Sequence, residues 1–273
     1  MSYILTRSGR QFNFANPHPS MVVLDDVAHA LANLNRFTGH TGYAYSVAQH
    51  SVAVSRFLEL TGEPLIIQLA GLLHDAHEAY FGDISAPMKE FLKFRTIGNI
   101  VAGTVFEALG IKDVGLDGVA GSPGAQALGL TAESLDAIIR GGIEKAMGLS
   151  IGRLEDRIQS VVAEAFGLSL TLMKDQRVKL ADLTALAVEA DVLMPPDTED
   201  WPVLAPVTPA MKAVMPRPYR LTPDQAKVLF LNRYRQLTSQ LYSDEAAFEA
   251  AGLAYRDALI QMKRLDPHAV IEF

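Results

Sequence analysis

The sequence predicts an all-α fold of about eight or nine helices. Apolar residues return at helical spacing through most of the chain, no convincing set of alternating strands appears, and Gly-rich or Pro-rich stretches separate the periodic segments. Of the 273 residues 49% are hydrophobic and 20% charged, which suffices for a sizeable core in one domain or one domain with an appendage.

Residues 1–20 read as an irregular arm in which Tyr3, Ile4, Phe12 and Phe14 can form a short strand pair. A helix starts near Leu24, where Asp25 and Asp26 complement the dipole and Val27, Ala28, Leu31 and Leu34 supply one apolar face. Gly39 and Gly42 break the chain before a second helix, from about Ser46 to Leu60, that sets His50 among Val47, Val54, Phe57 and Leu58. A third helix, Pro64 to Tyr80, buries Leu65, Ile66, Leu69, Leu72 and Leu73 and ends in charge, with His74, Asp75 and Glu78 in its last turns. Asp83 follows in a turn, and another helix runs from about Met88 to Gly110.

Residues 110–130, rich in Gly and small side chains, suit a flexible connection, and a short helix from about Thr131 to Met147 follows. The next helix, Ile151 to Phe166, has Gly167 as its C-cap. One from about Asp175 to Leu193 places Asp182 and Glu189 seven apart on a stripe of their own. A Pro-rich surface connection, 194–211, precedes two final helices, Thr222 to Tyr242 and Asp244 to Arg264.

Composition narrows the chemistry. With no Cys, disulfides and thiolate metal sites are excluded, so a transition metal must be held by His and carboxylate. A net charge of -7 argues against a surface devoted to nucleic-acid phosphates. No run of about 18 apolar residues marks a membrane span, and the N-terminus lacks a secretory pattern, so a cytoplasmic protein is expected.

The His74-Asp75 doublet is a poor core element, because charge at the end of a buried helix is costly unless paired or coordinated. His50, His74, Asp75 and Asp182 together offer two imidazoles and two carboxylates from three helices. That donor set suits one divalent transition metal, Mn, Co, Fe, Ni or Zn, without singling one out. A bound ion lowers the pKa of its water and makes a hydroxide nucleophile available near neutral pH. Taken singly, His50 reads more readily as a hydrogen-bonded core or surface histidine and Asp182 as a solvated or capping carboxylate, so spacing by itself leaves the metal open.

Three strings carry a family resemblance: RFTGHTGYAYSVAQHS at Arg36 to Ser51, LLHDAHEAYFGDISAPMK at Leu72 to Lys89, and VKLADLTALAVEADVLMPP at Val178 to Pro196. The pattern resembles the HD-domain metal-dependent phosphohydrolase superfamily, and within it the bacterial and phage branch that includes the 5'-deoxynucleotidases. The resemblance implies an HD-domain helical bundle, a single domain over 1–273, and this chain departs from the family's pattern by an inserted segment at about 96–150. It carries the metal ligands to His50, His74, Asp75 and Asp182, and catalytic acid-base roles to Glu78 and Asp83. Glu78 lies four residues after His74 and three after Asp75, on one face of a continuous helix.

Arg36 resembles the family's phosphate-binding arginine, whose planar fork clamps a phosphate bidentately. His40, His77 and Lys89 are subsidiary candidates for phosphate contact, and Glu189 reads as structural support. The implied activity is removal of the 5'-phosphate from deoxynucleoside monophosphates, by a small-molecule nucleotide enzyme that is a homo-oligomer, dimer or larger. A triphosphohydrolase releasing triphosphate from a dNTP is the close alternative, and the scarcity of Lys and Arg near the motifs favours the monophosphate. A catalytically weak regulatory HD protein that binds metal or nucleotide is the alternative from another class, against which Glu78 and Asp83 argue.

Overall fold

In the computed structural model the described residues are 2–91, 131, 151–196 and 201–242. The inserted segment at 96–150, the helices expected at Thr131 to Met147 and Asp244 to Arg264, and most of the one from Met88 to Gly110 lie outside them, Thr131 excepted. The chain divides into two compact units, one comprising Met1–Asp83 with Asp156–Phe273 and the other Ile84–Glu155. The expected insertion falls within the range of the second.

The described residues are all-α apart from one short hairpin, β1 (Tyr3–Leu5) antiparallel to β2 (Gln11–Asn13) with Ile4 opposite Phe12. Phe12 is the side chain this hairpin buries, and it stacks on Tyr80 at 3.9 Å between ring centroids. The loop between the strands is tied to α1 (Leu24–Asn33): Thr6 and Ser8 hydroxyls and the Ser8 amide all donate to the buried Asp26 carboxylate. Asp26 therefore does more than complement the helix dipole.

Helix α2 (Val47–Leu60) starts on a capping box, in which the Ser46 hydroxyl accepts from the Gln49 amide and the Gln49 side chain accepts from the Ser46 amide. Every residue from Val47 to Ser55 is buried, because α2 is packed by α3 (Leu65–Leu73), by α8 (Gln176–Leu193) and by α10 (Pro223–Tyr242). Gly71 lets α2 and α3 approach: a Cβ there would lie 2.4 Å from Leu58 Cδ1 and 3.7 Å from the Ser55 backbone. Arg233 of α10, 2% exposed, ties the same helices together by donating to Ser55 Oγ, the Ser55 carbonyl, Gln68 Oε1 and Glu59 Oε1.

The single helix expected from Pro64 to Tyr80 is divided. Beyond α3 the amides turn to acceptors three residues back, Ala76 to Leu73 and Glu78 to Asp75, before the short α4 (Glu78–Phe81). At this point His74 Nδ1 donates to the Gly71 carbonyl at 2.8 Å, the acceptor that a continuing helix offers to the Asp75 amide. Gly82, at φ 87°, ends α4 in the left-handed region open to glycine.

The remaining described helices are α5 (Ala86–Phe91), α6 (Ile151–Ala165), α7 (Leu170–Met173) and α9 (Pro209–Val214). The Pro-rich connection thus contains a 3-10 turn at Pro202–Leu204 and the start of α9, each with proline in its first turn. Gly167 takes its C-cap geometry at φ 71°. No helix among the described residues is long and apolar enough to cross a membrane.

Candidate metal centre

Three helices bring His50, His74, Asp75 and Asp182 together; the first three form the group able to hold a metal ion, and Asp182 stands outside that group while facing both imidazoles. His50 projects from near the N-terminal end of the buried α2, His74 and Asp75 stand where α3 gives way to its turn, and Asp182 lies on α8. His50 Nε2 is 3.1 Å from Asp182 Oδ1 and 3.5 Å from Asp75 Oδ2. His74 Nε2 is 3.2 Å from that same Asp75 oxygen and 3.8 Å from Asp182 Oδ1. Two ligands each about 2.1 Å from one ion stand about 3.0–3.4 Å apart at octahedral or tetrahedral angles, which these spacings approach.

Both rings are oriented from behind. A carbonyl and a carboxylate can only accept, so His74 Nδ1 donates to Gly71 O and His50 Nδ1 donates to Glu189 Oε1 at 2.7 Å. Each neutral imidazole then presents its Nε2 lone pair to the cluster. Both Nε2 atoms are buried without a hydrogen-bond partner among the described residues. Four acceptors facing one another repel unless protons or a cation lie among them. His50, His74 and Asp75 accordingly form a group able to hold a metal ion.

Proton affinities report the same demand. Burial disfavours the charged ring at both histidines, and Arg36 adds to this at His50, yet the surrounding carboxylates hold His50 above and His74 well above the ordinary imidazole value. Burial likewise opposes the charged forms of Asp75 and Asp182, but the two facing imidazoles keep both carboxyls below their usual range. The cluster is closed at His50, 0% exposed, and most exposed at Asp182, 35% exposed.

Arg36 adjoins the centre through Glu189, whose Oε2 accepts from Arg36 Nε at 3.2 Å. Burial resists its charge, but Glu189, Asp182, Asp75 and Asp83 together raise the guanidinium's proton affinity further. Among the described residues no hydrogen bond engages its two terminal nitrogens. The turn that launches it is strained: Phe37 and Thr38 have φ of 53° and 54°, followed by Gly39 at 80°. Left-handed non-glycine residues cost about 1–3 kcal/mol each and gather at ligand clamps. The bridge between Asn35 and Ser46, with the Arg36 amide donating to the Tyr45 carbonyl, holds the loop's two ends together.

The other expected site residues divide. Glu78 is 5% exposed and opens α4, with its amide on the Asp75 carbonyl, so it joins the doublet through a tight turn and not through a continuous helical face. Asp83, half-buried beyond Gly82, acts on Arg36 through its charge. His77 is buried beside Glu78, whereas His40 is exposed and closes the strained turn through its amide. Lys89 belongs to the second unit, where its ammonium pairs with Glu155 at 2.6 Å. Two contributors had no sequence signal: the left-handed conformation at Phe37 and Thr38, and Gln159 of α6, which donates to the His74 carbonyl and fixes the turn.

No protein-family model matches the chain. It is similar to the uncharacterized protein YfdR of Escherichia coli K12, 41% identical over 92 residues that make up 34% of this chain and 49% of YfdR. It is also similar to an uncharacterized protein of Rhodobacter capsulatus, 42% identical over 87 residues, 30% of this chain and 44% of that protein. The chain thus spans about half the length of the curated relatives it matches.

Proposed function

We propose that this chain is an HD-domain phosphohydrolase that removes the 5'-phosphate of deoxynucleoside monophosphates with the help of one divalent transition metal. One observation carries the reading: two bare, buried Nε2 atoms each lie 3.1–3.8 Å from an oxygen of Asp75 and of Asp182, beside an arginine anchored by its Nε. His50, His74, Asp75 and Asp182 would hold the ion, and their mixed nitrogen and oxygen donors suit Mn, Co, Fe, Ni or Zn. When bound, the ion supplies Lewis acidity and lowers the pKa of water.

The chain's own groups supply the rest. Arg36 offers two terminal nitrogens to the phosphate oxygens, in the geometry a tetrahedral anion accepts bidentately. Glu78 takes the proton of the attacking water, and Asp83 protonates or orients the leaving 5' oxygen. A single anchored guanidinium suits a monophosphate better than a triphosphate. Outside this reading stand a triphosphohydrolase with the same residues and a regulatory HD protein without turnover.

The test is Mn²⁺ binding by calorimetry alongside release of phosphate and triphosphate from a panel of dNMPs and dNTPs, for wild type, Asp75→Ala and Glu78→Gln. The expected result is phosphate release from dNMPs, abolished by both substitutions, with Mn²⁺ binding lost in Asp75→Ala alone. Turnover that survives Asp75→Ala overturns the metal assignment. Metal binding without turnover of any nucleotide establishes the regulatory alternative.

A further inference from the structure

Glu189 stands out as a buried carboxylate, 2% exposed, with both oxygens engaged by groups of different kind. Oε1 accepts from His50 Nδ1 at 2.7 Å, and Oε2 accepts from Arg36 Nε at 3.2 Å. It lies on α8 seven residues after Asp182, which faces His50 from the ring's opposite nitrogen. His50 is therefore held at Nδ1 by one carboxylate of α8 while its Nε2 faces another. Burial disfavours the charge of Glu189, but the adjoining His50 and Arg36 keep its proton affinity below the usual carboxylate range.

We infer that Glu189 is the positioning residue that sets the metal ligand His50 and the anion-binding Arg36 in register, so that one side chain governs both metal affinity and phosphate affinity. The inference rests on the metal-and-phosphate reading above. Its chemistry follows from counting donors. A carboxylate accepts at both oxygens, so it satisfies His50 Nδ1–H and Arg36 Nε–H at once. Glutamine has a single accepting oxygen. Turned toward His50, it sets an NH2 against the Arg36 N–H and the guanidinium loses its anchor. Turned toward Arg36, it donates to His50 Nδ1, which moves the ring proton to Nε2 and removes the lone pair a metal needs. Either orientation damages one function, and exchange between them damages both.

The strained turn fits this role. Phe37 and Thr38, left-handed at φ 53° and 54°, follow Arg36 directly, and surrounding structure must hold such backbone in place. The Glu189–Arg36 ion pair ties the turn's first residue to α8. Tyr45, 2% exposed, closes the same corner: burial first and the nearby Glu189 charge second hold its phenol well above the ordinary range, so it stays protonated.

The experiment measures Mn²⁺ binding and, on the Mn²⁺-loaded protein, inorganic phosphate binding by calorimetry. The proteins are wild type, Glu189→Gln, Glu189→Asp, Arg36→Gln and the double variant Arg36→Gln/Glu189→Gln, with circular dichroism to establish folding. Loss of a carboxylate behind a ligating histidine is expected to weaken Mn²⁺ by about 10–100-fold in Glu189→Gln. Phosphate is expected to bind at least tenfold more weakly to that variant, and this phosphate effect disappears in the Arg36→Gln background while the Mn²⁺ effect persists. Glu189→Asp keeps the charge on a shorter arm; it reaches one partner, and impairs one ligand more than the other.

Mn²⁺ affinity within twofold of wild type in a folded Glu189→Gln overturns the inference. So does a phosphate effect of the same size with and without Arg36. Should Glu189→Gln fail to fold, equal losses of both ligands in a folded Glu189→Asp overturn it. Failure of the underlying reading is separate and shows as a wild-type protein that binds neither probe.

Discussion

Replacing Gly71 by alanine tests whether the close approach of α2 and α3 sets the geometry of the centre. The new Cβ would meet Leu58 Cδ1 at 2.4 Å and Val54 Cγ1 at 3.4 Å. Carbon atoms pack at about 3.5–4.0 Å, so Leu58 must withdraw by about 1 Å or the helices must part. Leu58 is 1% exposed and has no solvent to turn into. Overpacking of this kind costs about 1–3 kcal/mol, and the better helix propensity of alanine offsets about 0.5–1 kcal/mol of it. A net loss of about 1–2 kcal/mol is expected in urea denaturation. Because α2 carries His50 and α3 ends at His74, a shift of about 1 Å also takes ligand atoms beyond the spacing one ion spans, and Mn²⁺ affinity should fall at least tenfold. Leu58→Ala removes the obstruction: the double variant should lose less than the sum of the single losses by about 1–2 kcal/mol and regain Mn²⁺. Additivity within about 0.5 kcal/mol would refute the packing argument. A stability loss with unchanged Mn²⁺ affinity would refute the link from helix spacing to ligand geometry.

Two further expectations follow from buried charge. Arg233→Ala leaves Gln68 and Ser55 without their donor and Glu59 without one cation, and should cost about 3–5 kcal/mol in urea denaturation; a loss under about 1 kcal/mol argues that water replaces the guanidinium. In the metal-free protein, His50 and His74 hold protons more tightly folded than unfolded. The stability they contribute is therefore complete below the unfolded value of about 6.5 and is lost as pH rises through their folded values. A divalent ion takes the protons' place, so the rise in Tm caused by Mn²⁺ should grow as pH rises above the unfolded value of about 6.5 in calorimetric scans. An increment that does not change with pH contradicts this.

How far the sequence discloses the molecule depends on whether the deciding force is local. Most described helices were legible because burial of one face writes a 3.6-residue period into the chain, and the hairpin because Phe12 needs cover. The division of the helix after Leu73 was not legible. No Gly or Pro follows until Gly82, and what marks the break is the His74 side chain on the Gly71 carbonyl. The left-handed pair Phe37–Thr38 was hidden for the opposite reason: propensity disfavours that conformation at both residues, so it is set by surroundings, and the neighbouring Arg36 is held by Glu189 and Tyr45. The His74-Asp75 doublet announced itself by the cost of leaving it unpaired. His50 and Asp182, each ordinary alone, gain meaning from meeting at 3.1 Å.

The seven-residue interval between Asp182 and Glu189 unites these points. On an α-helix it returns to nearly the same face about 10.5 Å further along the axis. One residue can then face the cluster while the other grips the far nitrogen of the same imidazole, and the ring of His50 spans the gap between them. The carboxylate at the second position is not a spare ligand: its two oxygens are taken by His50 and Arg36. Helix α8 therefore contributes one aspartate to the cluster and one glutamate behind it. A shift of this helix against α2 disturbs the His50–Asp182 spacing and the His50–Glu189 bond together, which is why the packing of α8 on α2 belongs to the site as much as the ligands do.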